Sequence, residues 1–349
     1  MINSIRHCGI GQFYIVLISY FVYSKTNFIM KRILIVFATI LLFTAGCQGR
    51  TESNTNNGIS PSAIVKTIDR GKPVVISNKI ITGDLDFTEV KSRSIYSSSG
   101  ETAGIGVPVT FLNCIFMGTV RCNSVNGNRS VNTRFESSLT FEACDFRGEA
   151  DFSNSTVMGD VNFTEAIFRE KASFNNMHLN GKVAWFTGIQ AEQPFSMQEA
   201  LFNGRADFFK ASFAGKASFQ GSDFRGAARF SNLDCSGRCD FSLVRFRDDA
   251  QFSYARFAGG LNILDSRFSG TAFLNNIEFA GQSIISGCTF FGMVSFEKSA
   301  ATSGFDLSNS YFIIGRPKTG GFMISNPTKL NTSGTKFADL HDLTPLIAE

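Results

Sequence analysis

The chain has 349 residues and a formal net charge of +4, and that charge resides in residues 1–46, which hold Arg6, Lys25, Lys31 and Arg32 and no acidic residue. Taking those 4 from the 33 basic residues leaves 29 from Cys47 onward, against 29 acidic ones, so the remainder is neutral. A basic nucleic-acid binder and an acidic mimic of DNA both lose their main support.

Residues 30–47 begin with Met30-Lys31-Arg32, continue as an unbroken, largely apolar run from Ile33 to Phe43, and close on Thr44-Ala45-Gly46-Cys47. A basic start, a short apolar run and small residues before a cut site form a secretory signal peptide. The run is too short to span a bilayer, which needs roughly 20 residues. Small-small-Cys at its end resembles the lipobox of bacterial lipoproteins, which implies that Cys47 becomes the acylated first residue. Thr44 stands where that motif usually has Leu. We read residues 1–29, upstream of this complete signal, as an extension from a miscalled start, with residues 30–46 as the signal peptide. The competing reading, an extra anchor over Phe13 to Tyr23, also falls short of a span. Residues 47–59, rich in Gly, Asn, Thr and Ser, read as a flexible linker. Residues 60–71 then carry helix start and stop signals, with Ser60 at the cap, Pro61 at the first helical position and Gly71 past the end. Ile64, Val65 and Ile68 are placed to cover the end of whatever follows.

From there a clock sets in. Stepping alternately five and six residues from Met197 lands on Phe202, Phe208, Phe213, Phe219, Phe224, Phe230, Cys235, Phe241, Phe246, Phe252, Phe257, Ile263, Phe268 and so on to Phe312. The earlier points run from Phe141 through Phe146, Phe152, Val157, Phe163, Phe168, Phe174 and Leu179 to Trp185, with small partners two residues before each, such as Ala150, Ala172 and Val183. Residues at i−2 and i share one side of an extended backbone, so each unit is a very short strand followed by a turn. A helix is excluded, because spacings of five and six leave no common stripe. Taking every fourth point gives columns, and the column Phe202, Phe224, Phe246, Phe268, Phe290 and Phe312 is Phe throughout. That column favours a four-sided coil with stacked rings. It predicts an all-β solenoid over residues 72–338 of roughly ten coils, about 45–50 Å long at about 4.8 Å per coil. The stretches at 91–108 and 123–134, and a shorter one at 187–196, break the rhythm and read as surface loops. Residues 339–349 are a C-terminal cap or tail.

The units Gly148-Glu149-Ala150-Asp151-Phe152, Gly159-Asp160-Val161-Asn162-Phe163 and Arg205-Ala206-Asp207-Phe208 resemble those of the pentapeptide-repeat proteins over roughly residues 79–313. The resemblance implies a right-handed quadrilateral parallel β-helix with the large residue and its small partner stacked inside. The extra residue in every second unit, giving 11 per pair in place of 10, marks a Phe-rich variant.

Candidate sites are few. Beyond Cys47, the six cysteines Cys114, Cys122, Cys144, Cys235, Cys239 and Cys288 all fall on inward positions, which reads as packing. Export first suggests disulfides, and only Cys235 and Cys239 are close enough in sequence to suspect one. His7, His178 and His341 are far apart, no metal-ligand or phosphate-loop spacing occurs, and no cofactor is implied. Asp248-Asp249, with Asp223, Asp240 and Arg245, is the one acidic set that carbohydrate chemistry could use. Solvated turns are the blander reading. Arg225, Arg245, Arg247 and Arg267 fall on or beside one side, at the same step as the Phe column. They suit a polyanion such as lipopolysaccharide or an acidic partner, or a charged face neutralised by the interleaved Asp residues.

The sequence therefore points to a non-enzymatic, lipid-anchored scaffold or interaction module of the bacterial envelope, in the outer membrane where one exists. Its partners would be the membrane, through the N-terminal lipid, and an envelope protein or glycan, with no nucleic acid and with end-to-end dimerisation open. The alternatives are a carbohydrate-active or polyanion-binding β-helix and, behind those, a DNA mimic that protects topoisomerases.

Overall fold

The computed structural model describes residues 58–338, a parallel β-helix of four sheets with 10, 12, 11 and 13 strands. The chain visits the sheets in a fixed order, and we call them the first to fourth faces. One full coil runs Ala206 on the first face, Phe213 on the second, Ala217 on the third and Phe224 on the fourth, before Ala228 pairs in parallel with Ala206. Strands are mostly two residues long: the small inward residue and the outward one on the first and third faces, as in Ala228–Arg229, and the outward one and the large inward one on the second and fourth, as in Asp223–Phe224. The second face alone stacks 12 strands, so the coils exceed the roughly ten expected. The sequence count missed coils at both ends, where wider spacings such as Phe305↔Leu330 hide the regular step.

The alternation of five and six residues is a property of the corners. At five-residue corners the second residue after the large one is left-handed although it is not glycine: Asn154, Glu165, Asn176, Lys210, Asn232 and Asn276 have φ between 54° and 58°. Asn leads because its short polar side chain tolerates that conformation best. The outward Asp helps to fold the same corner. Asp151 Oδ1 accepts the Ser153 N–H at 3.0 Å, and Asp207 does the same for Phe209 at 3.0 Å. Thus Ala-Asp-Phe-Ser-Asn reads as inward, corner acceptor, inward, turn, left-handed turn. At six-residue corners glycine stacks on glycine instead. A Cβ on Gly226 would lie 2.7 Å from the Gly204 carbonyl carbon, and one on Gly159 would lie 2.6 Å from Ser138 N. Gly226→Ala is therefore expected to cost about 1–3 kcal/mol through overpacking. Gly106→Ala, whose Cβ would meet nothing within 4 Å, should shift the urea midpoint little.

Inside, the predicted column is present. Rings of Phe202, Phe224, Phe246, Phe268, Phe290 and Phe312 stack at centroid separations of 4.5, 5.2, 4.8, 4.7 and 4.8 Å. Phe337 extends the stack at 5.5 Å. Rings on opposite faces meet edge-on across the interior, as Phe230 and Phe241 do at 80°. Buried hydroxyls tie coil to coil: Ser266 donates to Phe241 O at 2.8 Å and receives the Val244 N–H at 3.1 Å. Cys288 takes the same role, donating its thiol to Ile263 O at 3.0 Å.

At the corner from second to third face the volumes are exchanged twice. Ala191 stands where a Phe is expected, between Phe168 and Phe213 in its column. Phe195 stands at the small position across the corner, and its ring fills the gap at 6.3 Å from Phe168 and 4.9 Å from Phe213. Ala301 and Phe305 repeat the exchange, with Phe305 4.9 Å from Phe279. Cys235 and Cys239 occupy the same two positions between them, and there the packing reading needs correction: the pair is a disulfide with Cα atoms 6.4 Å apart. The other four cysteines are free and buried, as packing requires.

Three further expectations change. Trp185 is not on the inward lattice. One extra residue enters between Leu179 and Ala184, so Ala184 and Phe186 point inward while Trp185, paired with Asn162 and Asp207, points outward. The irregularity thus precedes the segment 187–196. The expected loops at 91–108 and 123–134 are largely β-hairpins, Arg93–Ser97 with Gly100–Ile105 and Asn123–Asn126 with Arg129–Phe135. Their inner strands pair in parallel from Ser130↔Gly100 to Phe135↔Ile105, making a four-stranded blade that widens the fourth face. Finally, Gly58–Ile59, assigned to the linker, is a strand paired with Ile80–Ile81. The helix Pro61–Asp69 buries Ile64, Val65 and Ile68 over the first coil, although Ser60 makes no side-chain capping bond. The signal peptide, Cys47, His7, His341 and the cap at 339–349 lie outside the described residues.

Candidate functional site

The fourth face carries the predicted arginines, with Arg245 five coils beyond the blade. In each unit the residue before the large one and the residue after it both point outward, so one coil sets two polar side chains astride each buried ring. In this way Arg245 and Arg247 flank Phe246, and Arg267 pairs in register above Arg245. Arg245, Arg247, Arg267 and the hydroxyl of Ser269 line a groove of about 410 Å³.

Their electrostatics differ. Arg247 reaches back one coil and grips Asp223 with two bonds, Nε to Oδ1 at 2.7 Å and a terminal nitrogen to Oδ2 at 2.6 Å. That charge-assisted fork raises its pKa above the ordinary guanidinium value. Arg267 lays its guanidinium over the Phe291 ring at 4.2 Å, which holds it flat against the face. Arg245 has no ion-pair partner among the described residues. Arg245 stands in register between Asp223, whose carboxylate is taken up by the Arg247 fork, and Arg267. Like charges directly opposite in a sheet destabilise it, so the Arg245–Arg267 pair favours an anion. Arg225 does not line the groove; it donates to Asn203 Oδ1 at 3.0 Å one coil earlier. The sequence thus located three of the four residues in one place.

The acidic set does not assemble. Asp223 is consumed by Arg247, Asp240 sits on the third face and accepts the Ser242 N–H at 3.0 Å, and Asp249 accepts the Thr271 N–H at 2.8 Å. Asp248, the remaining member, accepts the N–H of Asp249 at 2.8 Å. Among the described residues no group of three or more His, Cys, Asp or Glu could hold a metal ion. The free thiols follow their surroundings. Burial pushes Cys288 up to about 12, and Cys122, wholly enclosed, also goes up. Cys114 and Cys144 stack in adjacent coils, and a hydrogen bond between the two free thiols lowers Cys114 while it raises Cys144.

Sequence reasoning missed a second outward feature, the aromatics of the first face. Trp185 and Phe273 point out from one in-register column there, and Phe209 lies beside it with the Arg229 guanidinium 3.9 Å above its ring. The doublet Trp185-Phe186 was the available signal, since only one of two adjacent residues can face inward.

None of the curated proteins compared with the chain matches it. Over residues 131–167 the chain matches the family described as pentapeptide repeats (9 copies). The four-sided solenoid carries the same unit well past that stretch in both directions, and match and fold together support placing the chain with the pentapeptide-repeat proteins.

Proposed function

We propose that the protein is a non-enzymatic interaction module, tethered to the bacterial envelope through acylated Cys47, that presents the arginine groove of its fourth face to an anionic partner. The observation that carries the binding half is the groove itself: Arg245 and Arg267, neither in an ion pair among the described residues, beside Ser269 and an Arg247 already neutralised by Asp223, on a rigid coil surface. Guanidiniums suit planar, multidentate recognition of phosphate, sulfate or carboxylate groups. The apolar run before Cys47 supports export. The Cys235–Cys239 disulfide supports it independently, because such bonds persist in oxidising compartments. Neutrality of the chain beyond Cys47 favours a local anion site over general attraction to polyanions.

Two measurements test the halves separately. Cells making the full chain should place it in the detergent-soluble membrane fraction with incorporated labelled fatty acid, and Cys47→Ala should abolish the label. A labelled Cys47→Ala protein would end the anchoring reading. With dextran sulfate as probe, the protein should bind with an affinity that falls as salt rises. The Arg245→Ala/Arg267→Ala variant should lose at least about tenfold, worth about 1.4 kcal/mol, and Arg225→Ala much less. Undiminished binding by the double variant would remove the groove from consideration.

A further inference from the structure

We infer that the first face binds an uncharged glycan chain lying along the coil axis, held between Trp185 and Phe273. This rests on the reading of the rod as a binding module and adds a second, chemically distinct site to it. The outward column there reads Trp185, Asp207, Arg229, Gln251, Phe273, each residue in register with the next. Four steps separate the two aromatics, about 19 Å at about 4.8 Å per coil. That step is close to the advance of one sugar ring in an extended chain, so the partly open residues of the column, Trp185, Arg229, Gln251 and Phe273, fall in step with its rings.

The chemistry of the strip is unlike that of the fourth face. Nearly every phenylalanine in the repeats is buried, yet Trp185, Phe209 and Phe273 stay partly open together on this surface, while Phe291 of the fourth face lies beneath Arg267. Half-open flat rings offer platforms for the apolar face of a pyranose. Between them stand planar hydrogen-bonding groups able to meet hydroxyls. These are Arg229 and Gln251: Asp207 itself is buried between Arg205 at 3.9 Å and Arg229 at 3.7 Å and fixes Arg229, which is laid flat on Phe209 and covers that ring. The Gln251 side-chain amide makes no hydrogen bond among the described residues. From Trp185 to Phe273 the column holds one carboxylate and one guanidinium, already paired, so its charge is zero. A strip with paired charges, free amide and open rings complements a neutral polyhydroxylated chain better than a polyanion. Few aromatic platforms with a few placed polar groups is the usual make-up of such sites.

Trp185 is the only tryptophan in the chain, so its emission reports on the strip directly. Titrating the full-length protein with hexamers of β-1,4-linked glucose and of β-1,4-linked N-acetylglucosamine should give a saturable shift in emission with at least one of them. By calorimetry, Trp185→Ala and Phe273→Ala should each weaken that binding tenfold or more, while Arg267→Ala on the fourth face leaves it unchanged. Gln251→Ala provides the same test should an aromatic variant lose its folding transition. No heat and no emission change with either hexamer overturns the proposal, as does equal binding by the aromatic variants. A dimer that dissociates on Trp185→Ala without sugar binding also overturns it and assigns the face to a second copy. Recovery of the bound hexamer in shortened form would sink the non-enzymatic reading while leaving the strip standing; recovery intact supports both.

Discussion

Replacing Phe246 by alanine is expected to lower stability by about 3–5 kcal/mol, whereas Arg245→Ala, one residue earlier, should cost under about 0.5 kcal/mol. The contrast follows from the strand alternation. Phe246 is 1% exposed, with rings stacked at 5.2 Å on Phe224 and 4.8 Å on Phe268 and edge contacts to Phe230 and Phe252. Its removal leaves a ring-sized void, and the neighbours cannot collapse into it because their spacing is set by the backbone ladder above and below. Arg245 lies outward without an ion pair to lose, and its removal even relieves repulsion from Arg267. Urea midpoints for the two variants would check this. Comparable shifts would contradict the assignment of inward and outward residues.

The second large effect is a pair that should compensate. Phe195→Ala is expected to cost about 3–5 kcal/mol, and Ala191→Phe about 1–3 kcal/mol, because the Phe195 ring already occupies the space a new ring would need. Together they should restore the ordinary pattern of large on the second face and small on the third, as in Phe213 and Ala217. The double variant should therefore be more stable than the sum of its parts by at least about 2 kcal/mol, within the range known for contacting pairs. Combining Ala191→Phe with the distant Phe290→Ala should instead be additive. Additivity in the first pair would mean that the two positions do not share one volume.

These two cases also mark what could be read from the residues alone. The lattice of inward Phe was legible because each coil imposes the same demand on the next, and the column from Phe202 to Phe312 stacks as expected. Frame was less secure where two large apolar residues are adjacent. Trp185 and Phe186 both satisfy the pattern, and only the parallel pairing of Ala184 with Val161 decides between them. The hairpins at 93–105 and 123–135 escaped notice because their stability comes from pairing with each other, a contact across sequence that their Ser- and Gly-rich composition does not signal. Of the arginine groove, the shared face was legible from the spacing. That Arg247 spends its charge on Asp223 while Arg245 keeps its own was not, since it depends on side-chain reach.

The direction of the backbone bonds has a mechanical consequence. Ladder bonds such as Phe252 N to Phe273 O at 2.8 Å join one coil to the next, so they lie along the rod, while the covalent chain runs round its girth. Tension along the axis is thus carried by hydrogen bonds and stacked rings, and tension across it by peptide bonds. The Cys235–Cys239 bridge, closed within a single coil, stiffens the hoop and leaves the seams between coils untouched. Each coil touches only its neighbours, so a pull on one end would open the structure seam by seam, like layers lifted from a coiled rope. Gly58–Ile59, attached through two residue pairs to Ile80–Ile81, would be the first to part.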